Sequence, residues 1–98
     1  MRVRWSEDAL TDRDELALYI AERDAAAALS VLDRIADALV MLETYPFAGR
    51  PGRMRNTREL VITGTPCIAV YQVADGAPLI LRLIHTSRDW PPKDAERS

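Results

Sequence analysis

Arg58-Glu59-Leu60-Val61-Ile62, Thr65-Pro66-Cys67-Ile68-Ala69-Val70-Tyr71 and Leu79-Ile80-Leu81-Arg82-Leu83-Ile84-His85 follow one another as three apolar runs bounded by turn residues. Their length and β-branched content predict three strands. The separators, Gly64-Thr65-Pro66 and Asp75-Gly76-Ala77-Pro78, are compact turns, so the strands are expected to form an antiparallel meander. In the third run Leu79, Leu81 and Leu83 alternate with Ile80, Arg82 and Ile84. Apolar residues on both faces predict a central strand covered on both sides. Arg58 and Arg82 stand inside these strands. A guanidinium there is costly to bury unpaired, so each is expected to meet an anion or a backbone carbonyl.

Upstream the pattern changes period. Arg2-Val3-Arg4-Trp5 alternates and reads as a short opening strand, with Val3 and Trp5 on one face. Ser6 is a good N-cap, Glu7 and Asp8 suit the positive end of a helix dipole, and a first helix runs to about Glu22. Its apolar positions are Ala9, Leu16, Tyr19 and Ile20; Arg13 falls on the same face and is expected to snorkel to its edge. Asp24 caps a second helix, in which Ala25, Ala28, Leu29, Leu32, Ile35, Ala36, Leu39 and Leu42 recur at three- and four-residue steps. Val31, Ala38, Val40 and Met41 make that helix apolar on a second side as well. The joint between the helices is so short that they should form an antiparallel hairpin. Tyr45-Pro46-Phe47-Ala48-Gly49-Arg50-Pro51-Gly52 reads as a structured loop. The expected architecture is α+β, in the order β-α-α-β-β-β. A helical hairpin packs on one face of a small, mostly antiparallel sheet, and the other face carries the arginines. Residues 1–98 form one domain, with 91–98 as a tail.

Composition narrows the function. Apolar residues make up 48% and charged residues 29%, ordinary values for a soluble globular protein. No run approaches a membrane helix and the start lacks a signal peptide's apolar core, so the expected compartment is the cytoplasm. One cysteine, Cys67, and one histidine, His85, give no disulfide and no metal-ligand set; Cys67 reads as a small buried hydrophobe. No glycine-rich phosphate loop is present, and no cofactor is expected. The net charge of −2 hides an asymmetry: residues 1–45 carry five arginines against ten carboxylates, residues 46–90 six against three. An acidic helical half therefore precedes a basic sheet half. The overall acidity argues against sequence-specific nucleic-acid binding by the chain alone, while the basic half suits an acidic peptide or a local phosphate.

The ordered set of local words resembles the RelE/ParE toxins of bacterial type II toxin–antitoxin modules, the ParE branch in particular. The words are Tyr19-Ile20-Ala21; Pro46 with Gly49-Arg50-Pro51-Gly52; Thr57-Arg58-Glu59-Leu60; Gly64-Thr65-Pro66 with Val70-Tyr71; and Leu81-Arg82-Leu83-Ile84-His85 with Arg88-Asp89-Trp90-Pro91. Two positions depart from it: Cys67 stands where many ParE-like members have an aromatic residue, and Arg13 where the first helix is usually apolar.

The resemblance implies one of two activities. RelE-like members cut messenger RNA on the ribosome without a metal. Here that role would fall to Arg58 and Arg82 as a phosphate clamp and His85 as acid or base. The lysines and the late tyrosine or histidine of such enzymes are missing: Lys93 is the only lysine, and no tyrosine follows Tyr71. ParE-like members share the fold but poison DNA gyrase by binding it. The favoured expectation is this binding inhibitor, neutralised by a cognate antitoxin, with Arg50, Arg58, Arg82, Arg88 and Trp90 as target- or antitoxin-binding residues.

Overall fold

The computed structural model describes residues 3–86. The sheet of the chain is an antiparallel meander extended at both ends. Strands β3 (Arg58–Ile62), β4 (Cys67–Ala74) and β5 (Ala77–His85) form the meander; β1 (Arg4–Trp5) adds to one edge and β2 (Arg50–Pro51) to the other, giving the order β1-β5-β4-β3-β2. All neighbours are antiparallel except β1 and β5. Asp75 and Gly76, both at positive φ, make the tight β4–β5 turn, and the Asp-Gly pair suits its left-handed geometry.

Two expectations are corrected. The stretch Tyr45–Gly52 is not all loop: Arg50 and Pro51 pair with Glu59 and Arg58 as an edge strand. Pro51 is tolerated there because its missing N–H faces no central ladder. The middle strand is β4, not β5. β5 is bordered by β1 over only two residues, and Leu79, Leu81 and Arg82 stay half-buried.

Helices α1 (Glu7–Ala21) and α2 (Ala25–Thr44) are joined by a three-residue link, Glu22–Asp24, and cover one face of the sheet. Their caps are those the sequence offers. Ser6 Oγ accepts from the Ala9 N–H at 3.0 Å, and Asp24 Oδ1 from the Ala27 N–H at 3.1 Å. The core joins Ala9 and Leu16 of α1, Ile35, Leu39 and Leu42 of α2, and Ile62, Cys67, Ala69, Tyr71, Ile80 and Leu83 of the sheet. The second apolar side of α2 divides: Val31 and Ala38 pack onto this core, whereas Val40 is exposed, as are Leu29 and, on α1, Leu18. Arg13 lies at the helix edge over the Trp5 ring, 5.1 Å from its centroid, and 3.6 Å from the Asp14 carboxylate. No helix among the described residues is long and apolar enough to cross a membrane.

Candidate functional site

The arginines do not gather on one open face of the sheet, as the sequence leads one to expect; Arg82, Arg58 and Arg50 are each committed to a partner. Arg82, in β5, makes a two-pronged pair with Asp12 of α1, Nε to Oδ2 at 2.7 Å and Nη2 to Oδ1 at 3.0 Å. The same carboxylate accepts from the Leu83 N–H at 2.9 Å. Asp12 thus occupies the ladder edge of β5 just beyond the end of β1, where Ser6 also bonds, its N–H to Ile80 O and its hydroxyl to Leu81 O. The hydrogen bonds to Asp12 hold the guanidinium above its ordinary pKa, against the opposing effect of burial. Asp12 was legible in principle: it lies three residues after Ala9 and four before Leu16, on the apolar face of α1.

Arg58 lies across from Tyr71 in the β3–β4 ladder. Its Nη1 donates to the carbonyls of Gly49 at 2.8 Å and Phe47 at 3.3 Å, and its guanidinium stands 5.0 Å from the Phe47 ring centroid. Tyr71, fully buried, grips the same loop from within: its hydroxyl donates to Pro46 O and accepts from the Gly49 N–H, both at 2.8 Å. Burial raises the Tyr71 pKa, opposed by the Gly49 bond and the positive Arg58. Glycine is required at 49 because a Cβ would come within 2.7 Å of the Tyr71 ring and hydroxyl.

Arg50, on β2, reaches the buried Glu59 at 3.3 Å; the Arg53 N–H donates to the other oxygen of Glu59 at 2.9 Å. Glu59 thereby pins the turn between β2 and β3. That turn is closed by Gly52 N–H donating to Thr57 O and by Asn56 at a left-handed φ of 61°. A cleft of about 940 Å³ opens beside it, lined by Phe47, Arg53, Met54, Arg55, Arg58 and Val73 among others.

His85 pairs in register with Cys67 and stacks edge-on against Tyr19 of α1, ring centroids 5.9 Å apart; Arg23 covers Tyr19 at 3.9 Å. Cys67 is fully buried, and desolvation raises its thiol pKa. Arg88 and Trp90, the remaining site candidates, lie outside the described residues. Among the described residues no group of His, Cys, Asp and Glu is placed to hold a metal. Arg58 thus lines the cleft, Arg50 is turned to Glu59, and Arg82 and His85 are each bound up with α1. Sequence reasoning missed Asp12, Glu59 as the hub for Arg50 and Arg53, and Tyr71 as the anchor of the loop.

Comparison with known proteins is consistent along the chain. The family model for the ParE toxin of the type II toxin–antitoxin system parDE matches residues 3–90. The chain is 41% identical over 90 residues to Y4kP of Sinorhizobium fredii, covering 92% of this chain and 93% of Y4kP. It is 34% identical over 87 residues to the toxin RelE2 of Caulobacter vibrioides, covering 89% of this chain and 97% of RelE2. A solved chain from the chromosomal ParDE toxin–antitoxin system of P. aeruginosa superposes with a TM-score of 0.77 at 24% identity, over 87% of this chain and 95% of the other, which places the fold.

Proposed function

This chain belongs to the ParE toxin family of type II toxin–antitoxin systems, and from that premise we propose that it inhibits DNA gyrase by binding it and is neutralised by a cognate antitoxin. The observation that carries the choice of binding over cleavage is the state of the three side chains an RNase would use. Arg82 is bonded to Asp12, Arg58 to loop carbonyls, and His85 is stacked on Tyr19. A phosphate clamp and a proton donor need side chains that converge on one reacting group. Arg82 and His85 are tied to separate residues of α1, and Arg58 to the loop before β2. Antitoxin binding is supported by the apolar residues the hairpin leaves exposed, Leu18, Leu29 and Val40, which suit an amphipathic partner helix.

Two assays run side by side test the proposal. Purified chain should inhibit gyrase supercoiling and leave message intact in a translation-coupled cleavage assay. Cleaved message with unaffected gyrase would overturn it in favour of the RelE-like activity, to which the 34% match with RelE2 points. His85→Gln separates the two again: a nuclease loses most of its rate, a binding inhibitor little. Growth arrest on induction, relieved by the reading frame next to it, tests the toxin–antitoxin pairing itself.

A further inference from the structure

Between Arg50 and Glu59 the chain carries four arginines and one carboxylate, and no other Asp or Glu occurs between Glu43 and Asp75. Glu59 is buried and already bonded by Arg50, by the Arg53 backbone and, at 3.8 Å, by the Arg53 guanidinium. The cleft beside it is lined by Arg53, Arg55 and Arg58 and by no carboxylate. Arg58 is held in place by carbonyls, which orient its guanidinium without neutralising it. Arg55 is exposed and makes no ion pair or hydrogen bond among the described residues. The rest of the lining is mixed: apolar Phe47, which is 64% exposed, Pro51, Met54 and Val73, with polar Asn56, Thr57 and Gln72. A positive rim beside Phe47 and Met54 suits a polypeptide that brings carboxylates and apolar side chains together. A polyphosphate fits it less well. Nucleic-acid affinity rests on many phosphate contacts in a positive field, and the acidic helical half opposes that field.

We propose that this cleft seats an acidic, apolar-interleaved segment of the antitoxin, its carboxylates on Arg55 and Arg58 and an apolar side chain against Phe47 and Met54. The proposal rests on the antitoxin reading above and adds to it a location and a chemistry distinct from the outer face of the helices.

The test uses the chain co-expressed with the protein of the adjacent reading frame, comparing wild type, Arg55→Glu and Arg55→Lys. Arg55 is exposed and makes no ion pair or hydrogen bond among the described residues, so all three should melt alike. Expected are dissociation about tenfold faster for Arg55→Glu with a weaker salt dependence, and near wild-type behaviour for Arg55→Lys. Unchanged dissociation of Arg55→Glu from a complex that does form would overturn the cleft assignment and leave the antitoxin reading standing. Failure of the wild-type chain to form any complex would remove that reading and the proposal together. Binding of a short single-stranded oligouridylate by the free chain, lost in Arg55→Glu, would overturn it by assigning the cleft to phosphate.

Discussion

At the scale of the residue, the hydrogen-bonded anchors decide stability. The Tyr71 hydroxyl serves a buried N–H and a carbonyl at once, so Tyr71→Phe leaves both without their partner. The expected cost is about 1–3 kcal/mol in denaturant unfolding. Gly49→Ala should cost a similar ~1–3 kcal/mol by forcing the same contact apart. Asp12 and Arg82 form a coupled pair, since Asp12 is nearly buried at 10% side-chain exposure and also holds the Leu83 N–H. Arg82→Ala or Asp12→Ala is expected to cost about 1.5–3 kcal/mol each. The double change should cost less than the sum, because most of each loss is the stranding of the other partner. Strict additivity in a double-mutant cycle would contradict the pairing. That Arg82 needs an anion follows from a cation in an apolar strand; which anion does not. Asp12 lies 70 residues away, and only the packing of α1 against β5 brings it there.

At the scale of the element, what could be read was set by local periodicity. The helices, their caps and the Asp-Gly hairpin have signals within a few residues, and they stand where the sequence puts them. β2 has no such signal: two residues beside a proline become a strand only because β3 offers them an edge. The central place of β4 is likewise a property of the pairing, not of its composition. For the site, Arg58 and its cleft lay within a visible run of arginines, whereas Tyr71 looked like one more core aromatic. Ser6 shows how one residue can join two elements. Its hydroxyl caps α1 and donates to Leu81 of β5. Ser6→Ala should cost about 1–2 kcal/mol. Ser6→Thr should be nearly silent, but Ser6→Asp, a good cap elsewhere, should fail to restore stability because a carboxylate cannot donate to the Leu81 carbonyl. Thermal melts of the three variants check this; full rescue by Asp would refute the double role.

At the scale of the whole molecule, the buried thiol reports on the fold. Cys67 is fully buried and its pKa is raised, so the folded state favours the protonated form more than the unfolded chain does. Stability is therefore unaffected at neutral pH and falls as pH rises past the ordinary thiol value of 9.0, where only the unfolded chain ionises. Cys67→Ala should remove the thiol's share of that alkaline loss, read from melting temperature against pH. A thiol reagent at neutral pH should react with the native chain only as fast as it opens, and rapid labelling would contradict the burial.

The carboxylate of Asp12 and the hydroxyl of Ser6 sit where a neighbouring strand would otherwise continue along β5. A bare strand edge is an invitation to fibrils and to runaway self-association. By closing that margin with the side chains of Ser6 and of Asp12 in α1, the molecule blocks sheet growth at this end. Overproduced Asp12→Ala should accordingly pellet where the parent chain stays in the supernatant.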